Sequence, residues 1–305
     1  MRALITGANG FVGTHLVAHL RESGDDVIES DVDITDRAAT FEHLAATSPD
    51  VVYHLAAQAD VGGSWNDPVE TFRVNAEGTL NLLDAARSGG AQRVLAVTSA
   101  DVYGRVSEAD LPLDESSPVR PVSPYAASKA AADILCLQAH LGHGLDVIRV
   151  RAFNHLGPGQ TDRFVASAIA SRVVANERSG AEVVMVGNLE ARRDFTDVRD
   201  VVRAYRLLVE SGASGDVYNV CSGDDRPVRE LAETLVGLAS HPMRLEPDPG
   251  LLRPVDLKVL RGDPTKLRRV TGWTPQIPIE TTLKDLLDHW RSKPARPHRP
   301  PQGSP

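Results

Sequence analysis

Cysteine is scarce: the 305 residues hold two, Cys136 and Cys221, each inside an apolar stretch. Two thiols cannot build a disulfide framework or a cysteine-rich metal site, and a reducing cytoplasm is the compartment that fits them. Long apolar runs are missing too. None approaches the ~20 residues that span a bilayer, and Met1 and Arg2 lead straight into a β-like run with no signal-peptide core, so no membrane association is expected. Nor is there a basic stripe in the body of the chain. Lys and Arg total 33 against 41 Asp and Glu, a formal charge of −8, which excludes nucleic acid as the main partner and leaves room for a small anion gripped by a few local arginines. His140 and His143 stand near a helix end without a third ligand; they read as a C-terminal cap, and no metal is expected.

What remains is a chain with 42% hydrophobic residues, enough for one large core or two unequal ones. Up to residue 151, short apolar runs at 3–6, 27–30, 51–55, 94–98 and 147–150 alternate with helical patterns. That rhythm predicts βαβ units and a doubly wound parallel sheet, whose strand ends gather along the edge where such sheets bind ligands. Beyond residue 154 the rhythm weakens. Helical patterns occupy 164–176, 198–210 and 228–239, with strands at 183–186 and 217–220, the latter rejoining the main sheet. Asp263 is placed to cap a helix opening on Pro264, and a final helix ends near Trp290. The expected division is a dinucleotide domain of 1–155 plus about 198–222, a smaller interleaved α/β domain of about 156–197 plus 223–291, and a disordered tail at 292–305. No internal repeat is present.

Directly after the first strand comes TGANGFVG (6–13), in which Gly7, Gly10 and Gly13 open a helix. Glycine permits the tight turn and the close backbone approach, and the helix N-terminus then offers free N–H groups to a pyrophosphate. The spacing is G-x-x-G-x-x-G rather than the commoner G-x-G-x-x-G. At the end of the second strand, Asp31 stands where a carboxylate accepts from an adenosine ribose and repels a 2′-phosphate, which favours NAD(H) over NADP(H). Asp33 and Ile34 are alternative neighbours of the adenine, so both cofactors stay open.

Tyr125 and Lys129 lie one helical turn apart in SPYAASKAAADIL and face the same way. An ammonium and an oxidised nicotinamide near the phenol are expected to lower its pKa, making Tyr125 a proton donor or acceptor. Ser99, ending the fourth strand in VTSADVYG, can hold a substrate oxygen beside it.

These segments, with HLAAQ (54–58), NAEGT (75–79), YAASK (125–129) and RAFNHLGPGQ (151–160), resemble the extended short-chain dehydrogenase/reductases that act on nucleotide sugars, over nearly the whole chain. FNHLGPGQTDRFV, GNLEARRDFTDV (187–198), VYNVCSG (217–223) and LLRPVDLKVLRGDPTKL (251–267) are similar to the branch that works on GDP-mannose derivatives. The resemblance implies a Rossmann sheet. It implies that Gly7, Asn9, Gly10, Phe11, Val12 and Gly13 meet the cofactor's pyrophosphate end, and that Leu55, Ala56, Ala57, Gln58, Asn75, Thr98 and Phe153 line its groove. Tyr125 and Lys129 would hold the nicotinamide ribose, while Ser99 and Tyr125 polarise the sugar oxygen. Asn154, Arg193 and Arg253 would meet the nucleotide diphosphate or its ribose, with Val165, Asn188 and Leu189 along the guanosine.

Dehydratases of this branch need a base at sugar carbon 5 and carry Glu two residues after the hydroxyl residue. Here that position is Asp101, one methylene shorter, and a displacement near 1 Å can cost on the order of a hundredfold. The expectation is therefore NAD(P)H-dependent reduction of the 4-keto group of a GDP-4-keto-6-deoxy-D-mannose type sugar, to GDP-D-rhamnose or its C4 epimer. A 4,6-dehydratase or a 4-epimerase is the enzymatic alternative. A cofactor-sensing protein is the non-enzymatic one, and it would have no need of Ser99, Tyr125 and Lys129 together. In resembling proteins the helices matching 66–87 and 124–141 form a homodimer bundle.

Overall fold

A computed structural model describes residues 1–252 and 257–294. The first half runs β1 (Arg2–Thr6), α1 (Phe11–Glu22), β2 (Asp26–Ser30), α2 (Arg37–Thr47), β3 (Val51–His54), α3 (Pro68–Phe72), α4 (Gly78–Ser88), β4 (Arg93–Val97), α5 (Pro124–His143) and β5 (Val147–Ala152). The second runs β6 (Asn154–Leu156), α6 (Val165–Ser179), β7 (Val183–Val186), β8 (Arg192–Asp197), α7 (Val198–Ser211), β9 (Val217–Val220), β10 (Asp225–Pro227), α8 (Val228–Gly237), β11 (Arg244–Pro247), β12 (Val259–Leu260), α9 (Thr265–Thr271) and α10 (Ile279–Ser292).

The main sheet has six parallel strands in the order β2-β1-β3-β4-β5-β9. Strands covered on both faces must be apolar throughout, and Ala3, Leu4, Ile5, Val52, Tyr53, Val94 and Leu95 have no exposed surface. Helices α1, α7 and α9 cover one face, and α2, α4 and α5 the other. The strand order reverses between β1 and β3, so a crevice opens outside their carboxyl ends, at the glycine turn.

A second core joins α6, α8 and α10 to β7. Beside it, β8 pairs with β6, β10 and β12. No helix among the described residues is long and apolar enough to cross a membrane.

Three expected boundaries move. The helix expected across 66–87 is interrupted by a π turn, Arg73–Glu77, between α3 and α4. At 263–264 the helix begins one residue later: Pro264 stands before α9 and the Asp263 carboxylate accepts from Thr265 N at 2.8 Å, because that N–H is the first free donor after the proline. The last helix continues to Ser292, and Lys293 Nζ lies 4.2 Å from the Trp290 ring centroid, so the tail does not begin at 292. Residues 295–305 lie outside the described residues.

Candidate active site

The glycine turn is built by close contact. Gly7 has φ +70°, and a Cβ there would sit 2.9 Å from Ala56 N; a Cβ at Gly13 would sit 2.2 Å from Gly7 O. No side chain caps α1 at Gly10, so the first-turn N–H groups face the crevice with the positive end of the helix dipole. A pyrophosphate fits such a cradle. At its outer rim Asn9 Nδ2 donates to Asp31 Oδ1 at 2.8 Å, and Asp31 borders a shallow hollow shared with Glu29, Glu42 and His43. Asp33 accepts from Thr35 N and Oγ1, which holds its carboxyl below the usual range. Ile34 is buried against Gly78. Neither Asp33 nor Ile34 lines the main cleft.

That cleft, about 1200 Å³, runs from the glycine turn past the ends of β4 and β5 to β8. Gly7, Gly10, Phe11, Val12, Gly13, Leu55, Ala57, Gln58, Thr98, Ser99, Asp101, Tyr125, Lys129 and Phe153 all border it. Ser123 caps α5 through Ala126 N and Pro124 takes the first helical position, which puts Tyr125 in the first turn and Lys129 one turn further. Tyr125 N donates to Ser64 Oγ at 3.2 Å, fixing the loop after β3 to the start of α5. Lys129 Nζ donates to Val97 O at 3.0 Å. Ser99 heads a single 3-10 turn, Ala100–Tyr103, its Oγ accepting from Asp101 N at 3.1 Å.

The folded chain does not by itself acidify the phenol; the expectation also drew on an oxidised nicotinamide. Burial pushes the Tyr125 phenol up, the Asp101 carboxylate adds to the rise, and only a hydrogen bond with Ser99 opposes it. Burial also brings the Lys129 ammonium down to about 8.

Some expected groove residues act from behind. Asn75, in the π turn, accepts from Gln58 N at 2.8 Å and donates to Gln58 O at 3.0 Å and Ser128 Oγ at 2.9 Å. The widened turn is what swings its side chain inward. Ala56 packs its backbone on Gly7 and gives its N–H to Thr6 Oγ1. His54 is clamped between Thr6 and Thr79, and burial pushes it down to about 3, so it stays neutral.

At the far end Asn154, Val165, Asn188, Leu189 and Arg193 line the same cleft. Arg193 Nη1 donates to the Arg192 carbonyl at 2.8 Å. Arg253 lies outside the described residues. The next residue, Asp194, is fully buried and accepts from Ser222 N, Ser222 Oγ, Gly223 N and Gly262 N. Several lining residues escaped the sequence reading, among them Asp60, Gln160, Arg163, Arg172 and His155. Arg172 donates Nη1 to Met185 O at 3.0 Å, and the spacing of Val165, Ala168, Ile169 and Arg172 along one face of α6 was a signal that could have found it. His155 lies parallel to Phe11 at 6.0 Å and donates Nδ1–H to Phe153 O, which leaves Nε2 as an acceptor.

A family model described as the NAD dependent epimerase/dehydratase family matches residues 3–221. The GDP-6-deoxy-D-mannose reductase of Pseudomonas aeruginosa is 39% identical, over 96% of this chain and 98% of that protein. The UDP-glucose 4-epimerase of Mycolicibacterium smegmatis is 32% identical over 96% and 99%. Among solved structures, RMD from Pseudomonas aeruginosa complexed with NADPH superposes with a TM-score of 0.89 at 38% identity, covering 96% of this chain and 99% of that one. A Thermus thermophilus UDP-glucose 4-epimerase in complex with NAD gives 0.87 at 31%, over 96% and 99%.

Proposed function

The chain belongs to the NAD dependent epimerase/dehydratase family of extended short-chain dehydrogenase/reductases, and from that premise we propose that it reduces the 4-keto group of a GDP-4-keto-6-deoxy-D-mannose type sugar nucleotide, giving GDP-D-rhamnose or its C4 epimer. The observation that carries this reading is the single cleft: Tyr125, Ser99 and Lys129 stand between the glycine cradle at one end and Arg193 at the other. Bound along that cradle, a reduced NAD(H) or NADP(H) supplies the hydride for carbon 4.

The chain's own groups do the rest. Tyr125 gives its phenolic proton to the oxygen that gains charge as the carbonyl is reduced, and burial keeps that proton on the phenol until then. Ser99 Oγ already accepts from Asp101 N, which leaves its own proton to donate to the same oxygen. Lys129 spends one donor on Val97 O and has two more for ribose hydroxyls. Arg193 and Arg172 bring cationic forks to the diphosphate and nucleoside end. Asp101 borders the cleft with a shorter arm than a dehydratase's glutamate, which weighs against proton removal at carbon 5.

The outer faces of α3, α4 and α5 leave Val69, Phe72, Leu80, Ile134 and Leu141 exposed. We read this face as a homodimer contact, the two buried thiols as consistent with cytoplasm, and the chain as two interleaved units divided near residues 155, 198 and 222.

The deciding experiment incubates purified protein with the 4-keto sugar nucleotide and reduced cofactor, and separately with GDP-mannose and oxidised cofactor. Loss of cofactor absorbance in the first alone is expected. Turnover of GDP-mannose alone would make it a dehydratase, and interconversion of sugars with no net absorbance change an epimerase.

A further inference from the structure

Ser99 and the Tyr125–Lys129 pair stand on different elements, and a buried polar network joins those elements. One turn of α5 beyond Lys129, the buried Asp133 accepts through Oδ2 from Arg151 Nη2 at 2.8 Å and from Arg149 Nη1 at 3.4 Å. Arg151, on β5, turns Nη1 to the Tyr103 hydroxyl at 3.1 Å and to Glu115 O at 3.1 Å, and its guanidinium lies 5.1 Å from the Tyr103 ring centroid. Tyr103 closes the 3-10 turn that Ser99 opens, and its hydroxyl donates to Asn219 Oδ1 on β9 at 2.7 Å. Asn219 is itself fixed by Leu113 O and by Glu115 Oε1. A hydrogen-bonded path therefore runs from α5 through β5 to the turn that carries Ser99. The turn has no slack at its exit: Gly104 has φ +62°, and a Cβ there would lie 1.7 Å from Arg120 O.

The reduction described above uses none of these groups. Nor is a buried carboxylate between two guanidiniums a good source of stability, since removing three charges from water costs about as much as their attraction returns, and an apolar trio packs as well. What planar forks and a phenol provide is a single geometry.

We infer that Asp133, Arg151 and Tyr103 are positioning residues that hold Ser99 opposite Tyr125 for proton transfer to the sugar oxygen. The inference rests on the reading of Ser99, Tyr125 and Lys129 as the groups that meet the carbonyl.

Tyr103→Phe tests it by removing one hydroxyl while keeping the ring and its stacking. Expected are a kcat for the keto sugar lower by about tenfold or more, as a sub-ångström shift of a reacting group produces, and a larger solvent isotope effect on kcat. The cofactor Kd by fluorescence titration and the sugar KM should stay within twofold. Asp133→Asn should give the same pattern; if it does not fold, Tyr103→Phe decides alone. Tyr125→Phe is the reference. A fully active Tyr125→Phe would defeat the underlying reading and this inference with it. With Tyr125→Phe inactive, a Tyr103→Phe kcat within twofold of wild type would overturn the positioning role. So would a parallel loss of kcat, cofactor affinity and Tm, which marks a purely structural network.

Discussion

The acidic rim at the adenosine end should make this chain prefer NADH to NADPH, although a relative of 38% identity has been solved with NADPH. Asp31 is held toward the glycine turn by Asn9. Arginines of the neighbouring elements carry acidic partners: Arg21 pairs with Glu29 at 2.7 Å, Arg37 with Asp84 at 3.0 Å while lying over Phe41, and Arg73 with Glu70 at 3.4 Å. A 2′-phosphate of charge near −2, about 5 Å from a carboxylate in water, is repelled by roughly 1.5 kcal/mol, about tenfold in affinity. Loss of a charged hydrogen bond to the 2′-hydroxyl adds a further ~1.5 kcal/mol or more. The ratio of kcat/KM for NADH over NADPH should thus be about a hundred or more. Asp31→Asn should lower that ratio by roughly tenfold, by improving NADPH, and raising salt toward 1 M, where the Debye length is only about 3 Å, should compress it in the wild type. Initial rates with each cofactor at two ionic strengths provide the measurement. A wild type that prefers NADPH, or a ratio untouched by Asp31→Asn, would refute the electrostatic argument.

Three further outcomes follow from the same geometry. Tyr125→Phe should lower turnover by about 10²- to 10⁴-fold while fluorescence titration shows unchanged cofactor binding; intact turnover would mean another group gives the proton. Burial brings Lys129 down to about 8, so its ammonium is present below that pH and lost above it. Cofactor affinity should therefore fall as pH rises through 8, a dependence that Lys129→Met should flatten in the same titration. Gly13→Ala brings a Cβ to 2.2 Å from the Gly7 carbonyl, and should abolish cofactor binding and, because the clash is with backbone, clearly lower Tm in a thermal melt.

The first half of the fold was legible because a parallel sheet buried on both faces writes itself as apolar runs, and because TGANGFVG sits at the one place where a turn must pass close to another strand. In the second half the helices and the strands at 183–186 and 217–220 were legible too, whereas the short strands β6, β8, β10, β11 and β12 were not, because they carry no periodicity. Strand β8, Arg-Arg-Asp-Phe-Thr-Asp, looks like surface, yet Asp194, Thr196 and Asp197 are buried. The π turn that turns Asn75 inward leaves no mark in a run of helix-forming residues. Spacing alone put Tyr125 and Lys129 on one face but could not tell that burial would raise the phenol or that the ammonium would donate to the Val97 carbonyl.

Two buried carboxylates serve as joints beside these elements. Asp194, beside Arg193, gathers four donors from the loop after β9 and from Gly262, yet burial still pushes it up to about 6. A folded value above the ordinary one means that its ionised form costs stability at neutral pH, a cost that shrinks as pH falls through 6. Asp133 is likewise buried between two cations. A chain free to maximise stability would fill both sites with apolar side chains. Such side chains slide over one another, whereas a carboxylate oxygen accepts only from donors in line with it. Asp133 lies one turn along α5 from Lys129 and Asp194 is next to Arg193, so in the proposed reduction one joint would back the groups given the proton and the other the arginine given the diphosphate end. On the proposed reading, such joints would fix geometry where a hydride and a proton must reach one carbonyl together, at a cost in stability.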